Sequence, residues 1–293
     1  MTPAAVFAVA AALCGVSYPA KDRPANDFAF AIVGDRAGGA QPRVYERIWH
    51  EIDQHRPNFA ITVGDTIEGG KDASAESEWR QLRPIWSKHS YPVYFTPGNH
   101  DIWSDLSRRI YEKETGRPSH YSFNYQNAHF TVLDNSGSLE LSAPEMQFLA
   151  ADLEQNKARE PKFIFFHQPF WLLPLKLQNM DFPFHRLVRE YRVDYVVSAH
   201  VHQFSRMERD GIVYMVVGSA GGRLRGNDPF KDFARGWFYH HVWVRVKGPK
   251  IDATVKEIAG PMGKGRMFPA EAWGENGPMF KPDEIRMVEP SKR

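Results

Sequence analysis

From Phe28 onward the chain alternates short, almost wholly apolar runs with stretches whose apolar residues recur at helical spacing. FAFAIVG (28–34) and NFAITVG (58–64) have the length and continuous apolarity of strands covered on both faces. Between them Val44, Ile48 and Ile52 repeat every fourth residue, drawing one apolar stripe along a helix. Together they predict a β-α-β unit. Periodicity predicts further helices over 76–89 and 101–114, with the strand-like run YPVYFTPG (91–98) between them. HYSFNY (120–125) and AHFTVLD (128–134) flank Gln126 and Asn127, which predicts a hairpin. Ser142 with Glu145 three residues on has capping-box spacing and opens a helix running to about Lys157. KFIFFH (162–167), VDYVVSAH (193–200), GIVYMVVG (211–218) and YHHVWVRV (239–246) complete the strands, with parallel units expected first and antiparallel strands later.

The two ends have a different texture. Residues 1–20 carry no charge, and 4–16 form a nearly continuous run of small apolar residues. That length suits the hydrophobic region of a signal peptide better than a spanning helix, which needs about 20 apolar residues. The expectation is therefore export to a periplasmic or extracellular space, with an uncleaved N-terminal membrane anchor as the alternative. Leu13 is bulky where a lipid-attachment site before Cys14 would carry a small residue, which argues against lipidation. No other segment is long and apolar enough to be a transmembrane span. Over 260–293 Gly and Pro recur with little periodicity, so the body is expected over 27–259. The C-terminal stretch is then either a tail or an arm held on the body by Met267, Phe268, Trp273 and Phe280.

Composition narrows the chemistry. With 42% hydrophobic and 25% charged residues in 293, the chain reads as an ordinary globular protein. A net charge of +2 offers no bulk attraction to a polyanion, so no obligate nucleic-acid partner is expected. The single cysteine excludes an internal disulfide and a thiolate zinc cluster. Any metal must then rest on His, Asp, Glu or Asn, and there are 12 histidines. Polar residues of these types fall just after the apolar runs: Asp35, Asp65, Asn99-His100-Asp101, His167, and His200 with His202. Each alone suits a turn or a helix cap. In an open α/β sheet, however, the carboxyl ends of the strands form the edge where ligands bind, so five such clusters converge on one site.

These residues resemble the calcineurin-like metallophosphoesterase family, whose pattern runs D-x-H, G-D, G-N-H-D/E, a strand-terminal His, and G-H-x-H. The matches are Gly34-Asp35, Gly64-Asp65, Gly98-Asn99-His100-Asp101, His167 and Ala199-His200-Val201-His202. The resemblance implies an α/β fold, a four-layer αββα sandwich of two mixed β-sheets flanked by helices. It implies a hydrolase of phosphoric esters, with a phosphodiester preferred over a monoester, acting by in-line attack of a metal-bound hydroxide at a dinuclear centre. The substrate would be a small-molecule or lipid-like phosphate ester. Two cations, Mn, Fe, Zn or Co, would be held by Asp35, Asp65 and His202 on one side and by Asp65, Asn99, His167 and His200 on the other, with Asp65 bridging. His100 would protonate or stabilise the departing oxygen and Asp101 would orient it.

Two positions depart from the pattern. Ala37 stands where the family has the histidine of D-x-H, which removes a ligand from the first cation, so that it would bind weakly, be completed by water or gain a replacement ligand; Ala199 replaces the usual Gly. Glu68, three residues after Asp65, is the candidate replacement ligand, since purple acid phosphatases of this fold carry a metal-binding tyrosine at that offset. Arg36 and Arg223 are candidate phosphate contacts. Phe170 and Trp171 either wall the pocket or pack, and His240 and His241 read as sheet residues. Neither a GxGxxG fingerprint nor a P-loop is present. Ala37 also motivates a rival, a non-catalytic metal- or phosphate-binding protein of the same fold. A nuclease is a further alternative.

Overall fold

The computed structural model describes residues 26–179, 181–226, 232–258 and 265–280, and the backbone of 286–288. The expected signal segment over 1–20, with Cys14, lies outside the described residues, as do 259–264, 281–285 and 289–293 of the C-terminal stretch.

Phe28, Phe30 and Ile32 project from one side of β1 (Asp27–Val33), and Ala31 and Val33 from the other, into two different apolar clusters. Bulky residues fill the space between two sheets and small ones admit a helix on the opposite face. In the first sheet β1 pairs in parallel with β2 (Phe59–Thr62), which pairs in parallel with β3 (Val93–Tyr94). On its other side β1 runs antiparallel to β10 (His240–Lys247), followed by β11 (Lys250–Glu257), β12 (Gly265–Pro269) and β15 (Arg286–Val288). The second sheet has the order β4 (Tyr121–Tyr125), β5 (Ala128–Val132), β6 (Lys162–Phe165), β7 (Tyr195–Ser198), β9 (Ile212–Val217), β8 (Phe204–Arg209). A ribbon of β13 (Trp273–Gly274) and β14 (Gly277–Pro278) stands apart.

The sheets face each other across an aromatic core. Phe30 meets Phe130 and Phe163 edge-on at 5.4 and 5.3 Å between ring centroids, and Phe59 meets Phe130 at 5.2 Å. Outside the first sheet lie α1 (Val44–His55), α2 (Asp72–Trp86) and α3 (Asp105–Thr115). Outside the second lie α4 (Ala143–Gln155), α5 (Leu172–Lys176) and α6 (Pro183–Glu190). This is the four-layer αββα sandwich of two mixed sheets.

The hairpin forms with Tyr125 opposite Ala128, and Gln126 takes a left-handed φ of 51°. Ser142 caps α4 by accepting from the Glu145 N–H at 3.3 Å, but the Glu145 carboxylate turns away, to the Asp134 N–H and His120. The expected ordering of parallel before antiparallel strands is corrected: β5, β6, β7 and β9 form a second parallel block, with antiparallel β4 and β8 at its edges. β8, β11 and α6 carry too few consecutive apolar residues to stand out in the sequence. Phe268 and Trp273 are buried in the inter-sheet core, and Phe280 packs on it. Among the described residues no helix is long and apolar enough to cross a membrane.

Candidate metal centre

The parallel strands β1, β2 and β3 of one sheet and β6 and β7 of the other end at the same edge, and the five polar clusters meet there. The end of β1 is stitched to the second sheet: Asp35 donates its N–H to the Gly218 carbonyl at 2.9 Å and accepts from Ala220 at 2.8 Å. The Arg36 and Ala37 N–H groups donate to the Asp65 carbonyl at 3.1 and 2.9 Å. Two glycines permit this crowding. Gly64 has φ 94°, and a Cβ there would lie 2.5 Å from His167 Nδ1; one on Gly98 would lie 2.2 Å from Asp65 Oδ1. Asp65, His200 and His202 are themselves held at φ 53°, 68° and 48°. Left-handed backbone costs non-glycine residues on the order of 1–2 kcal/mol each, offset here by the packing around them.

His167 Nε2 lies 3.1 Å from Asp65 Oδ2, 3.2 Å from Asn99 Oδ1 and 3.3 Å from His200 Nδ1. Donors around one ion with bonds of about 2.1 Å stand roughly 3.0–3.4 Å apart, so each of the three partners stands at ligand spacing from His167, and Asp65, His167 and His200 offer ligand atoms all within 4.8 Å of one another. The His167 Nδ1–H donates to the Val63 carbonyl at 2.8 Å, which keeps the Nε2 lone pair for the centre. A second group adjoins it. Asp35, Asp65 and His202 offer ligand atoms within 4.8 Å of one another, and the His202 Nδ1–H donates to the Arg223 carbonyl at 2.8 Å, which leaves Nε2 facing Asp35 at 4.0 Å. Asp65 belongs to both groups. Asp35 and Asp65 are buried, and among the described residues their ion pairs are with His167 and His202. Buried carboxylates, imidazoles with a free ring nitrogen and an amide oxygen are a donor set that suits borderline divalent cations.

The electrostatics of the protein without ions agree. Burial raises Asp35 well above the usual carboxylate range, and the neighbouring Asp65 adds to this. Burial would raise Asp65 too, but the His167 charge and hydrogen bond and the nearby His100 hold it down to about 2. Burial would lower His167, yet Asp65 and Asp35 raise it to about 9. Burial and the His167 charge push His200 down to about 4. One imidazolium thus stands in for positive charge at the centre, where a cation would replace its proton.

Around these donors several expectations change. Asp101 does not orient His100. Its Oδ1 accepts from the Thr66 and Ile67 N–H groups at 2.8 and 3.2 Å and its Oδ2 from Gly98 at 3.0 Å, which ties two loops together. His100 is oriented instead by the Glu68 carbonyl, which bonds its Nδ1, while its main-chain N–H donates to Asp65 Oδ1 at 2.8 Å. Glu68 is not placed as a ligand. Its carboxylate accepts from the Gly38, Gly39 and Ala40 N–H groups at 3.2, 3.3 and 2.8 Å, and these bonds hold its pKa below the usual range against the effect of burial. Arg36 reaches the Thr66 carbonyl at 3.4 Å rather than showing a place in the cleft. Arg223 serves His202 through its carbonyl, and its exposed side chain lines a small cavity of about 260 Å³ with Gln41 and Tyr239. Trp171 is fully buried and donates to Ser198, so it packs; Phe170 stacks on Phe166 and is half-buried. His240 and His241 are buried in β10. Ala37 is buried, with its N–H on Asp65, and among the described residues no His, Cys, Asp or Glu side chain joins the group in place of the missing imidazole. Ala199 avoids left-handed φ, so its methyl is accommodated.

One positioning residue escaped the sequence reading. Asn135 Oδ1 accepts from the His167 and Gln168 N–H groups, both at 3.0 Å, and fixes the turn on which His167 stands. Its only signal was a place just past an apolar run, shared with many loop residues.

With this geometry in place, comparison with known proteins is informative. The family model for calcineurin-like phosphoesterase matches residues 28–204. Purple acid phosphatase 23 of Arabidopsis thaliana is 26% identical over 266 residues, covering 73% of this chain and 56% of its own length. The chain therefore spans little more than half of that curated relative. Among solved structures, a purple acid phosphatase from yellow lupin (Lupinus luteus) seeds superposes with a TM-score of 0.55 at 14% identity, covering 80% of this chain and 51% of its own. GAP50, the anchor in the inner membrane complex of Plasmodium, superposes at 0.56 and 13% identity, covering 91% and 90%. Both share the fold.

Proposed function

The chain belongs to the calcineurin-like phosphoesterase family, and from that premise we propose that it is a metal-dependent hydrolase of phosphoric esters working at a pair of cations. The observation that carries the reading is Asp65, a buried carboxylate shared by two adjoining ligand groups, Asp65-His167-His200 with Asn99 and Asp35-Asp65-His202. Two cations at short separation need a shared anion to offset their repulsion. When bound, such ions supply Lewis acidity toward a phosphoryl oxygen and an acidified water.

The chain's own residues supply the rest. Val63 and Arg223 fix the tautomers of His167 and His202 through their carbonyls. The His200 N–H holds the Asp35 carboxylate in place. His100, with its Nδ1–H committed to the Glu68 carbonyl, gives the departing ester oxygen a proton from Nε2 in its imidazolium form and is left as the neutral Nδ1–H tautomer. With Ala37 in place of a histidine, Asp35, Asp65 and His202 are the three side chains that would hold the first cation. The substrate class is a phosphoric ester, and the diester preference implied by the family resemblance stands beside the phosphatase name of the curated relative.

The same alanine supports a second reading, a metal-binding protein of this fold without turnover. The decisive test is metal analysis of the purified chain with assays of chromogenic phosphate mono- and diesters in Mn, Zn or Fe. Turnover that is lost in Asp65→Asn supports the hydrolase. Metal binding without turnover of any ester supports the second reading, and turnover unchanged in Asp65→Asn sinks the two-cation mechanism.

A further inference from the structure

A groove of about 760 Å³ opens beside the metal centre, lined mostly by apolar side chains, with Glu140 and Lys176 also on it. Leu141, Met146, Phe170, Leu173 and Phe182 are among the side chains that line it. Phe170 stacks on Phe166 at 4.9 Å and meets Phe184 edge-on at 5.1 Å, so this part of the lining is packed against the core behind it. The groove reaches His200, whose Nδ1 lies 3.3 Å from His167 Nε2. A single imidazole therefore borders both the cation ligands and the apolar channel.

The surface around it is unusual in the same way. Five large apolar side chains are strongly exposed among the described residues, and two of them, Leu139 at 60% and Leu173 at 66%, line this groove. A third, Leu177 at 69%, comes directly after the groove residue Lys176. Apolar side chains left in water beside a polar centre mark a binding surface, and the volume lies in the range of small-molecule sites.

We infer that this groove takes the hydrophobic organic group of the ester whose phosphate sits at the metal centre, so that the substrate class is an alkyl or acyl-chain phosphate ester. The inference rests on the reading of the site as a phosphoric ester hydrolase. His200 belongs both to the groove and to the ligand groups, which ties the groove to the substrate itself: a chain esterified to a phosphate at the centre would run past His200 into apolar surroundings. Polar esters such as sugar phosphates would leave the leucines in water and gain nothing from it.

The test compares methyl with hexyl esters, as alkyl phosphates and as p-nitrophenyl alkyl phosphates, with manganese present. Burying a methylene contributes about fourfold, so kcat/KM for the hexyl ester should exceed the methyl value by at least about tenfold. In a Leu139→Asn, Leu173→Asn double variant, whose changed positions are solvent-exposed, the hexyl-to-methyl ratio should fall toward one. Turnover of both esters at equal kcat/KM overturns the groove assignment and leaves the hydrolase standing. If no ester turns over, the hydrolase reading fails and calorimetry with hexylphosphonate and methylphosphonate decides the groove. At least about tenfold tighter binding of the hexyl compound, lost in the double variant, supports the assignment, and equal affinity overturns it.

Discussion

The main-chain N–H of His200 donates to both carboxylate oxygens of Asp35, at 3.0 and 3.1 Å, across 165 residues of sequence. One strand end thus orients the ligand supplied by another, in the opposite sheet. Asp35→Asn keeps an acceptor for that N–H and removes the negative charge from only one of the two ligand groups. Metal content after gel filtration should fall from two ions per chain toward one, with kcat/KM down by at least about a hundredfold. Two retained ions would remove Asp35 from the first position.

Glu68 clamps the loop just after Asp35, and that loop passes close to His202, since a Cβ on Gly38 would lie 2.6 Å from its ring. Glu68→Ala should cost about 1–3 kcal/mol in urea unfolding, because three loop N–H groups lose a charged acceptor. Metal stoichiometry should stay at two. Loss of one ion in Glu68→Ala would restore Glu68 to the ligand set.

His100 is expected to matter in proportion to how badly the leaving group needs a proton. His100→Ala should lower kcat by about 10²- to 10⁴-fold for an alkyl leaving group and much less for p-nitrophenol, whose anion departs unaided. Equal losses on both would show that the imidazole positions the site and does not protonate the ester oxygen.

Asp152 gives a stability prediction away from the centre. Its carboxylate is bonded by His129 Nε2 at 2.8 Å, Thr131 Oγ1 at 2.7 Å and Ser122 Oγ at 2.7 Å, and these partners outweigh burial and hold its pKa below the usual value. A depressed carboxylate pKa adds stability above the unfolded value, about 3.9, and that stability is lost as pH falls through the folded value. Asp152→Asn should therefore cost about 2–3 kcal/mol at pH 7. In urea titrations the gap from the parent should hold down to about pH 5 and shrink below about pH 4. A gap independent of pH would assign the loss to packing.

Much of the donor set was legible because each ligand comes just after an apolar run, and runs with period-two or wholly buried patterns declare themselves as strands. Strand ends in a parallel sheet share an edge, so Asp35, Asp65, Asn99, His167, His200 and His202 group together on sequence grounds. Side-chain hydrogen bonding was not legible in the same way. Glu68 sits at a ligand's offset, yet three loop N–H groups take its carboxylate; Asp101 is next to His100, yet its oxygens serve Thr66, Ile67 and Gly98.

By itself the sequence determined most of the strands and helices, through where apolar residues fall, and the chemical identity of the donors, through which polar residues end the strands; the four-layer arrangement was implied only by the family resemblance. Tertiary structure alone decided that the carbonyls of Val63 and Arg223 choose the tautomers of His167 and His202. It also decided that an apolar groove begins at His200. The physical reason is that backbone carbonyls and N–H groups are the same at every residue. Which of them faces a given side chain depends on how distant segments cross, and no local pattern encodes it.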